Sequence, residues 1–277
     1  MKDYKEEKIM AFNPNELVLE RVRSVEEYDP ATNVLTGRYT QIEDPSLTTS
    51  ADETTVTDAM GASIASFYRN IQGTFSFTNS LFSLDLAASQ FGSEKVVASA
   101  DKKMQVPVSE TLAIASNGVV TLSYIPVGTV GSEIAYVKVI NDNNTFGDKY
   151  TVTATTASAE DKTFTLDAAA KKLTMPAGVK GKVFVNYVKE TENAVSVAKM
   201  SDTVTQVKKL LVHAIFCDPC NINTKYAGVI EVPRAQIDPS SVDISLTMEG
   251  KHAASYLLKR EYCDEAGRLF NIYISED

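Results

Sequence analysis

The chain has 277 residues, of which 44% are hydrophobic and 23% charged, the balance of a globular protein with a sizeable core. Its formal charge of −9 disfavours a protein that grips nucleic acid, because neutralising phosphates requires a basic surface. Three cysteines and two histidines are too few for a disulfide framework and leave little for acid–base catalysis, so the composition indicates a non-enzymatic protein of a reducing compartment.

The N-terminal segment, residues 1–12, is polar, and we predict that it is flexible in the free monomer. Its opening MKDYKEEKIM is charged and lacks the apolar core of a secretory signal. No apolar run in the chain approaches the roughly 20 residues that a membrane-spanning helix needs. We therefore expect a protein that is made in the cytoplasm and has no membrane partner.

A β-hairpin is predicted next. Residues 16–23, ELVLERVR, alternate apolar and polar side chains as a half-buried strand does. Asp29-Pro30 and Asn33 supply turn chemistry, and residues 34–42, VLTGRYTQI, offer the second strand.

A polar stretch follows at residues 44–58, DPSLTTSADETTVTD, and it has no core pattern. A segment of this length and polarity inside a compact domain is typically a functional loop, so we predict a loop here. The pattern of residues 57–70, TDAMGASIASFYRN, fits a helix or a strand equally well, and it leaves both open.

One helix is predicted after the short strand GTFSFT. In NSLFSLDLAASQFG the apolar residues Leu81, Leu84, Ala88 and Phe91 share one helical face. Asn79 can cap the start of this helix, and Gly92 can take the left-handed conformation that ends it.

The middle of the chain, residues 101–193, contains six or seven short alternating segments separated by turn signals such as Asn117-Gly118. This rhythm predicts an inserted immunoglobulin-like β-sandwich. The last part alternates again, and Pro233 requires its strand to lie at a sheet edge or at a bulge. We therefore predict a mainly β protein in which residues 13–99 and 195–277 form one β-sandwich or barrel domain with a flanking helix, interrupted by the insert.

The sharpest local motif is Cys217-Asp218-Pro219-Cys220, which follows an apolar strand. A thioredoxin-like redox pair would need a helix after the first cysteine to lower the pKa of its thiol, but the residues that follow have the pattern of β-strands. A zinc site of Cys217, Cys220, Cys263 and His213 would require the strand to bend sharply. The pattern favours a turn with two small structural thiols over both alternatives.

Chemistry-bearing motifs are missing from the rest of the sequence. It has neither of the glycine-rich loops that cradle phosphates and no nucleophile elbow. Paired acids such as Glu26-Glu27 and Asp52-Glu53 lie in polar runs that suit a solvated surface. We predict no catalytic, cofactor-binding or metal-binding residue and no cofactor.

Three stretches carry a resemblance to a known family. They are DAMGASIASFYRNIQGTFSFTNSLFSLDLAASQFG, the closing GVIEVPRAQIDPSSVDISLTMEG with YLLKREYCDEAGRLFNIYI, and the inserted strand-rich region. Together they resemble the major tail tube proteins of long-tailed bacteriophages, whose virion proteins commonly carry immunoglobulin-like domains. The resemblance implies a virion protein of the phage tail that assembles with copies of itself as stacked hexameric rings. It also implies contacts with other tail proteins and passage of DNA without tight binding.

The polar stretch Asp44–Asp58 is the natural candidate for the contact between rings. Its acids Asp44, Asp52 and Glu53 would suit either that contact or a lumen through which DNA slides. Two other classes remain open at this point. A capsid or capsid-decorating protein would share the β-rich composition, and a carbohydrate- or cell-surface-binding module would need a signal and exposed aromatics; the chain has no Trp.

Overall fold

The computed structural model describes residues 16–240, 242–245, 247, 251–262 and 267–275. The segment 1–12, predicted to be flexible, and Cys263 of the zinc alternative lie outside the described residues, as do residues 246 and 248–250 of the stretch VDISLTMEG. The chain divides into two compact units: the first contains the segments up to Lys95 and from Val197 onward, and the second is Val96–Ser196. The described residues form strands and a single helix, which confirms the predicted mainly β fold class.

The elements follow one another along the chain as strands, one helix and further strands. The first unit begins with β1 (Val18–Tyr28), β2 (Leu35–Tyr39), β3 (Ile42–Thr57), β4 (Ser63–Asn79) and α1 (Leu84–Phe91). The second unit contains β5 (Val96–Val97), β6 (Met104–Ala113), β7 (Val119–Thr121), β8 (Tyr136–Ile140), β9 (Phe146–Val152), β10 (Thr163–Asp167), β11 (Lys172–Thr174), β12 (Lys182–Thr191) and β13 (Val195–Ser196). The first unit resumes with β14 (Val207–Cys217), β15 (Lys225–Ile237), β16 (His252–Leu258) and β17 (Asn271–Ser275).

The first unit is built on one sheet with the strand order β2-β1-β14-β15-β16-β4-β3, and β17 pairs with β15. Strand β3 also approaches β1, so the sheet curls towards a closed barrel. Alternation along β14 turns Leu210, Val212 and Ala214 into the core. Phe77 and Tyr256 stack in the same core with their ring centroids 6.1 Å apart.

Two local predictions in this unit are confirmed. The β1–β2 turn is held by the Asp29 carboxylate, which accepts hydrogen bonds from the backbone N–H groups of Ala31 and Thr32 at 2.9 and 2.8 Å. Pro233 lies at a register shift between β14 and β15, which is the bulge that its missing N–H requires. The predicted half-burial at Leu19 is wrong, because this side chain is exposed and burial begins at Ser24.

The predicted loop at 44–58 is wrong. Residues 44–57 lie in β3, which pairs antiparallel with β4 and forms one long hairpin, and Asp58 begins the turn between the two strands. The same pairing resolves residues 57–70, which are a turn and a strand rather than a helix. The prediction failed because this ribbon buries neither face, so threonine-rich strand propensity is present without an apolar alternation to reveal it.

The helix is where the sequence predicts it, but it is shorter. Ser83 caps its start by accepting a hydrogen bond from the N–H of Leu86, whereas Asn79 is the last residue of β4. Gly92 adopts the left-handed conformation with φ of 66°, as predicted. The predicted apolar face is wrong in part, because Leu81 precedes the helix and the buried side chains are Leu86, Ala87, Ala88 and Gln90.

The second unit has its own core, around Val120, Phe164 and Val183. Its main sheet follows the order β6-β12-β8-β9-β10-β11-β7, and β9 and β10 run parallel. The first and last strands of this order, β6 and β7, follow each other in the chain and lie near each other. Gly118 turns the chain between them with φ of 78°, at the predicted turn. A separate two-stranded sheet pairs β13 with β5.

Candidate assembly surface

The outer half of the β3–β4 hairpin, residues 48–72, is named the arm here. Leu47 packs on the core, and beyond it every residue of β3 is exposed. From Thr48 to Thr57 a strand rising about 3.3 Å per residue extends roughly 30 Å. The arm is therefore a two-stranded ribbon without a buried face, and such ribbons are marginally stable in water.

The tip of the arm is ordered by Asp58. Its carboxylate accepts hydrogen bonds from the backbone N–H groups of Met60 and Ala62, both at 2.8 Å. The N–H of Asp58 donates to the Ala62 carbonyl oxygen at 2.9 Å, and Gly61 supplies the positive φ of 85° that closes the turn. The arm thus ends in a defined turn.

Large apolar side chains cover the arm and contact water. They are Met60, which is 94% exposed, and Ile64, Phe67, Tyr68 and Ile71, which are 53–67% exposed. A cluster of this kind on a monomer's surface marks an interaction site. The sequence pattern did not single out these residues. The available signal was that SIASFYRNIQ has apolar residues at both odd and even positions, and therefore on both faces of a strand, which suits a ribbon that is covered on both faces.

The three acids predicted for this region do not lie together. Asp52 is on the arm opposite Arg69, and its carboxylate accepts a hydrogen bond from the Asn70 amide at 3.0 Å. Glu53 is opposite Tyr68. Asp44 lies at the base of the hairpin, at a register shift where its φ is 48°. The arm itself carries Asp52, Glu53 and Asp58 against the single cation Arg69, so it is acidic.

The acid Glu27 lies in the core of the first unit and has no exposed surface. Its carboxyl accepts a hydrogen bond from the Ser89 hydroxyl at 2.5 Å and another from the Tyr256 hydroxyl. Burial raises the pKa of Glu27, and the hydrogen bonds from Ser89 and Tyr256 only partly oppose this shift. The Glu27 carboxyl group therefore connects β1, α1 and β16. Because this carboxyl is enclosed by protein and has no exposed surface, we assign it a structural role.

A cleft of about 570 Å³ lies beside this acid, between β2, α1 and the start of β14. Its lining carries three acids and three bases, namely Asp29, Asp85, Glu94, Arg38, Lys95 and Lys208. Lys95 pairs with Asp85, and Arg38 pairs with Glu26 at 3.2 Å. The cleft therefore offers a polar surface of mixed charge, not a cluster of one charge sign that would hold a cofactor.

The Cys217–Cys220 segment forms a turn. The Asp218 carboxylate accepts hydrogen bonds from the N–H groups of Cys220 and Asn221, and both thiols are free. No helix follows; the chain enters β15 at Lys225. His213 contacts Glu26 instead of a thiol, at 3.3 Å. Among the described residues no three His, Cys, Asp or Glu side chains are grouped as metal ligands.

The fold and this surface define a class of protein: a β-barrel-like unit that presents a long exposed hairpin, with a second β unit inserted in its chain. Residues 17–264 match the profile of the YomU/Tube protein family, so the chain belongs to that family. The predicted tail-tube resemblance is confirmed to that extent. No match is found among curated proteins. Within the described part of the chain, no helix is long and apolar enough to cross a membrane.

Proposed function

We propose that this protein is the structural subunit of a phage tail tube, and that copies of it assemble as stacked rings, hexameric by analogy with tail tubes. Two observations support the proposal. The chain belongs to a tube protein family over most of its length. Its arm exposes apolar side chains along a ribbon that needs a partner to be stable.

The arm carries the proposal. A ribbon exposed on both faces gains little from its own chain, whereas a neighbouring copy could cover Phe67 and Tyr68. A repeated heterologous contact of this kind closes into a ring or continues as a filament. In this proposal the arm of one subunit lies against the first unit of a neighbour and links successive rings.

Charge supports a conducting lumen. The whole chain carries −9, and the acids Asp44, Asp52 and Glu53 lie at the base and along the side of the hairpin. A negatively charged channel repels the phosphates of DNA and lets the polymer slide without sticking. The tube would thus conduct DNA and bind other tail proteins at its ends, which locates the protein in the virion tail.

The second unit is proposed to be an autonomous immunoglobulin-like domain on the outer surface, corresponding to the predicted insert 101–193. It has a separate core, and a domain of about 100 residues can fold alone. A unit pointing inward would narrow the DNA path. A variant in which a Gly/Ser linker joins Ser99 to Val195 should still assemble; aggregation of that variant would contradict this part of the proposal.

A shortened arm tests the assembly. Ser50 is opposite Gln72, so joining these two residues through Asn-Gly replaces the arm by a tight hairpin turn without disturbing the core pairs. The variant should fold with the thermal stability of the parent chain and should fail to form tubes in electron micrographs. Reversing the charges of Asp52 and Glu53 is the milder test. Normal tubes from the shortened variant would remove the arm from the interface.

A further inference from the structure

Strands β8, β9 and β12 of the second unit share a face that carries three lysines and three aromatic rings. Val137, Val183 and Val185 point into the core, so their neighbours along each strand point outward. The outward side chains include Tyr136 and Lys138 of β8, Phe146 and Lys149 of β9, and Lys182 and Phe184 of β12; this set is named the basic face.

Two of the three lysines of the basic face lie over its aromatic rings. The Lys149 ammonium lies 4.7 Å from the centroid of Tyr136, and the Lys138 ammonium lies 5.6 Å from that of Phe146. Phe146 meets Phe184 edge-on at 5.7 Å. Cation–π contacts of this kind fix the ammonium groups and leave their outer sides free for an anion.

None of the residues paired across the strands with members of the basic face is a carboxylate. Thr111 is opposite Phe184, Ala113 is opposite Lys182, and Thr151 is opposite Tyr136. The nearest acid along β9, Asp148, pairs with Lys162 at 2.9 Å instead of with a lysine of the face. The face is therefore a coherent cationic surface in an acidic protein.

Charge is divided unequally between the two units. Residues 96–196 contain ten lysines and ten carboxylates, so their formal charge is zero, and the whole −9 belongs to the rest of the chain. Each copy thus carries both a cationic face and an acidic unit of opposite charge. Electrostatic complementarity of this sort selects partners and fixes how they meet.

We propose that the basic face docks on the acidic first unit of a second copy of this chain. Single-stranded nucleic acid fits less well, because base stacking needs free ring faces and lysines already cover those of Tyr136 and Phe146. Strands lie about 4.8 Å apart, so the face is only about 15 Å long and about 15 Å wide. Its area is therefore well below the roughly 800 Å² that each partner of a stable dimer buries. The contact therefore acts through repetition along an assembly.

Photo-cross-linking in the full chain tests this docking, which rests on the proposed tube assembly. A photoreactive phenylalanine replaces Phe146, and the control replaces Tyr124, an aromatic of the same unit that is 45% exposed and outside the face. Tubes are assembled from a mixture of 14N- and 15N-labelled chains. We expect mixed-isotope cross-links from position 146 to residues 16–95 or 197–275, and none to those residues from position 124.

Charge variants complete the test. K138E/K149E/K182E should lower the mixed-isotope cross-link yield about tenfold, because like charges then face each other, whereas K102E/K172E/K180E makes the same charge change outside the face and should leave the yield unchanged. Tubes without mixed-isotope cross-links from position 146 would overturn the docking alone, whereas absence of tubes would count against the proposed function. Binding of labelled single-stranded DNA by the face, without chain-to-chain cross-links, would also overturn the docking.

Discussion

Replacing the two arm aromatics, in the variant F67S/Y68S, should separate assembly from folding. Phe67 is 53% and Tyr68 66% exposed in the single chain. With about 200 Å² per aromatic side chain, an interface that covers these fractions removes roughly 240 Å² of surface from water. At about 25 cal/mol per Å², burying this surface contributes roughly 6 kcal/mol to the free energy of association. We use half of this value, about 3 kcal/mol, because the neighbouring copy would cover the two side chains incompletely.

A loss of about 3 kcal/mol per contact weakens association by about a hundredfold. Stability of the single chain should change by less than about 0.5 kcal/mol, because both side chains are exposed and neither belongs to a hydrophobic core cluster. Sedimentation velocity over a concentration series measures the association, and urea unfolding measures the stability. The control Y124S/Y262S removes two other exposed aromatics. Equal assembly of the two double variants would refute the role of the arm.

Three further variants test the fold. G92A should destabilise the chain by about 2 kcal/mol or more in urea unfolding, because φ is 66° and the new Cβ would lie 2.1 Å from the Val204 carbonyl oxygen; an unchanged midpoint would contradict this helix end. E27Q should flatten the pH dependence of stability. Burial raises the pKa of Glu27, so the stability that this one group contributes is fully present below about pH 4.3, its unfolded pKa, and is lost as pH rises through its folded pKa, whereas glutamine does not titrate; equal slopes in urea titrations would contradict this reasoning. C217S/C220S should assemble normally and lose at most about 2 kcal/mol of unfolding free energy, and stoichiometric zinc in the purified wild type, measured by elemental analysis, would contradict the structural role of the thiols.

Local signals account for what the sequence predicted well. Gly92 ends the helix and Pro233 marks a bulge because each constraint comes from that residue's own backbone. A continuous apolar run identified β14, because every residue of this strand is buried or half-buried and apolar side chains therefore occur on both of its faces. The helix of the first unit and the strands near Pro233 could therefore be predicted from the sequence.

The candidate site was harder to predict from the sequence. The arm resembled a loop because neither of its faces is buried in its own chain, so neither face shows an apolar stripe. The acids Asp44, Asp52 and Glu53 were predicted as one group, but strand pairing, which is non-local, distributes them along the hairpin. The setting of Glu27 was also invisible, since Ser89 and Tyr256 are 62 and 229 positions away along the chain.

Electron microscopy of the purified full-length protein tests the central claim most directly. The protein should form hollow tubes of stacked rings whose averaged cross-section has a central channel wide enough for duplex DNA, about 20 Å. Because screening by salt weakens repulsion between acidic copies, tubes should form more readily at higher ionic strength. Monomers at every concentration and salt, or closed shells in place of tubes, would contradict the account.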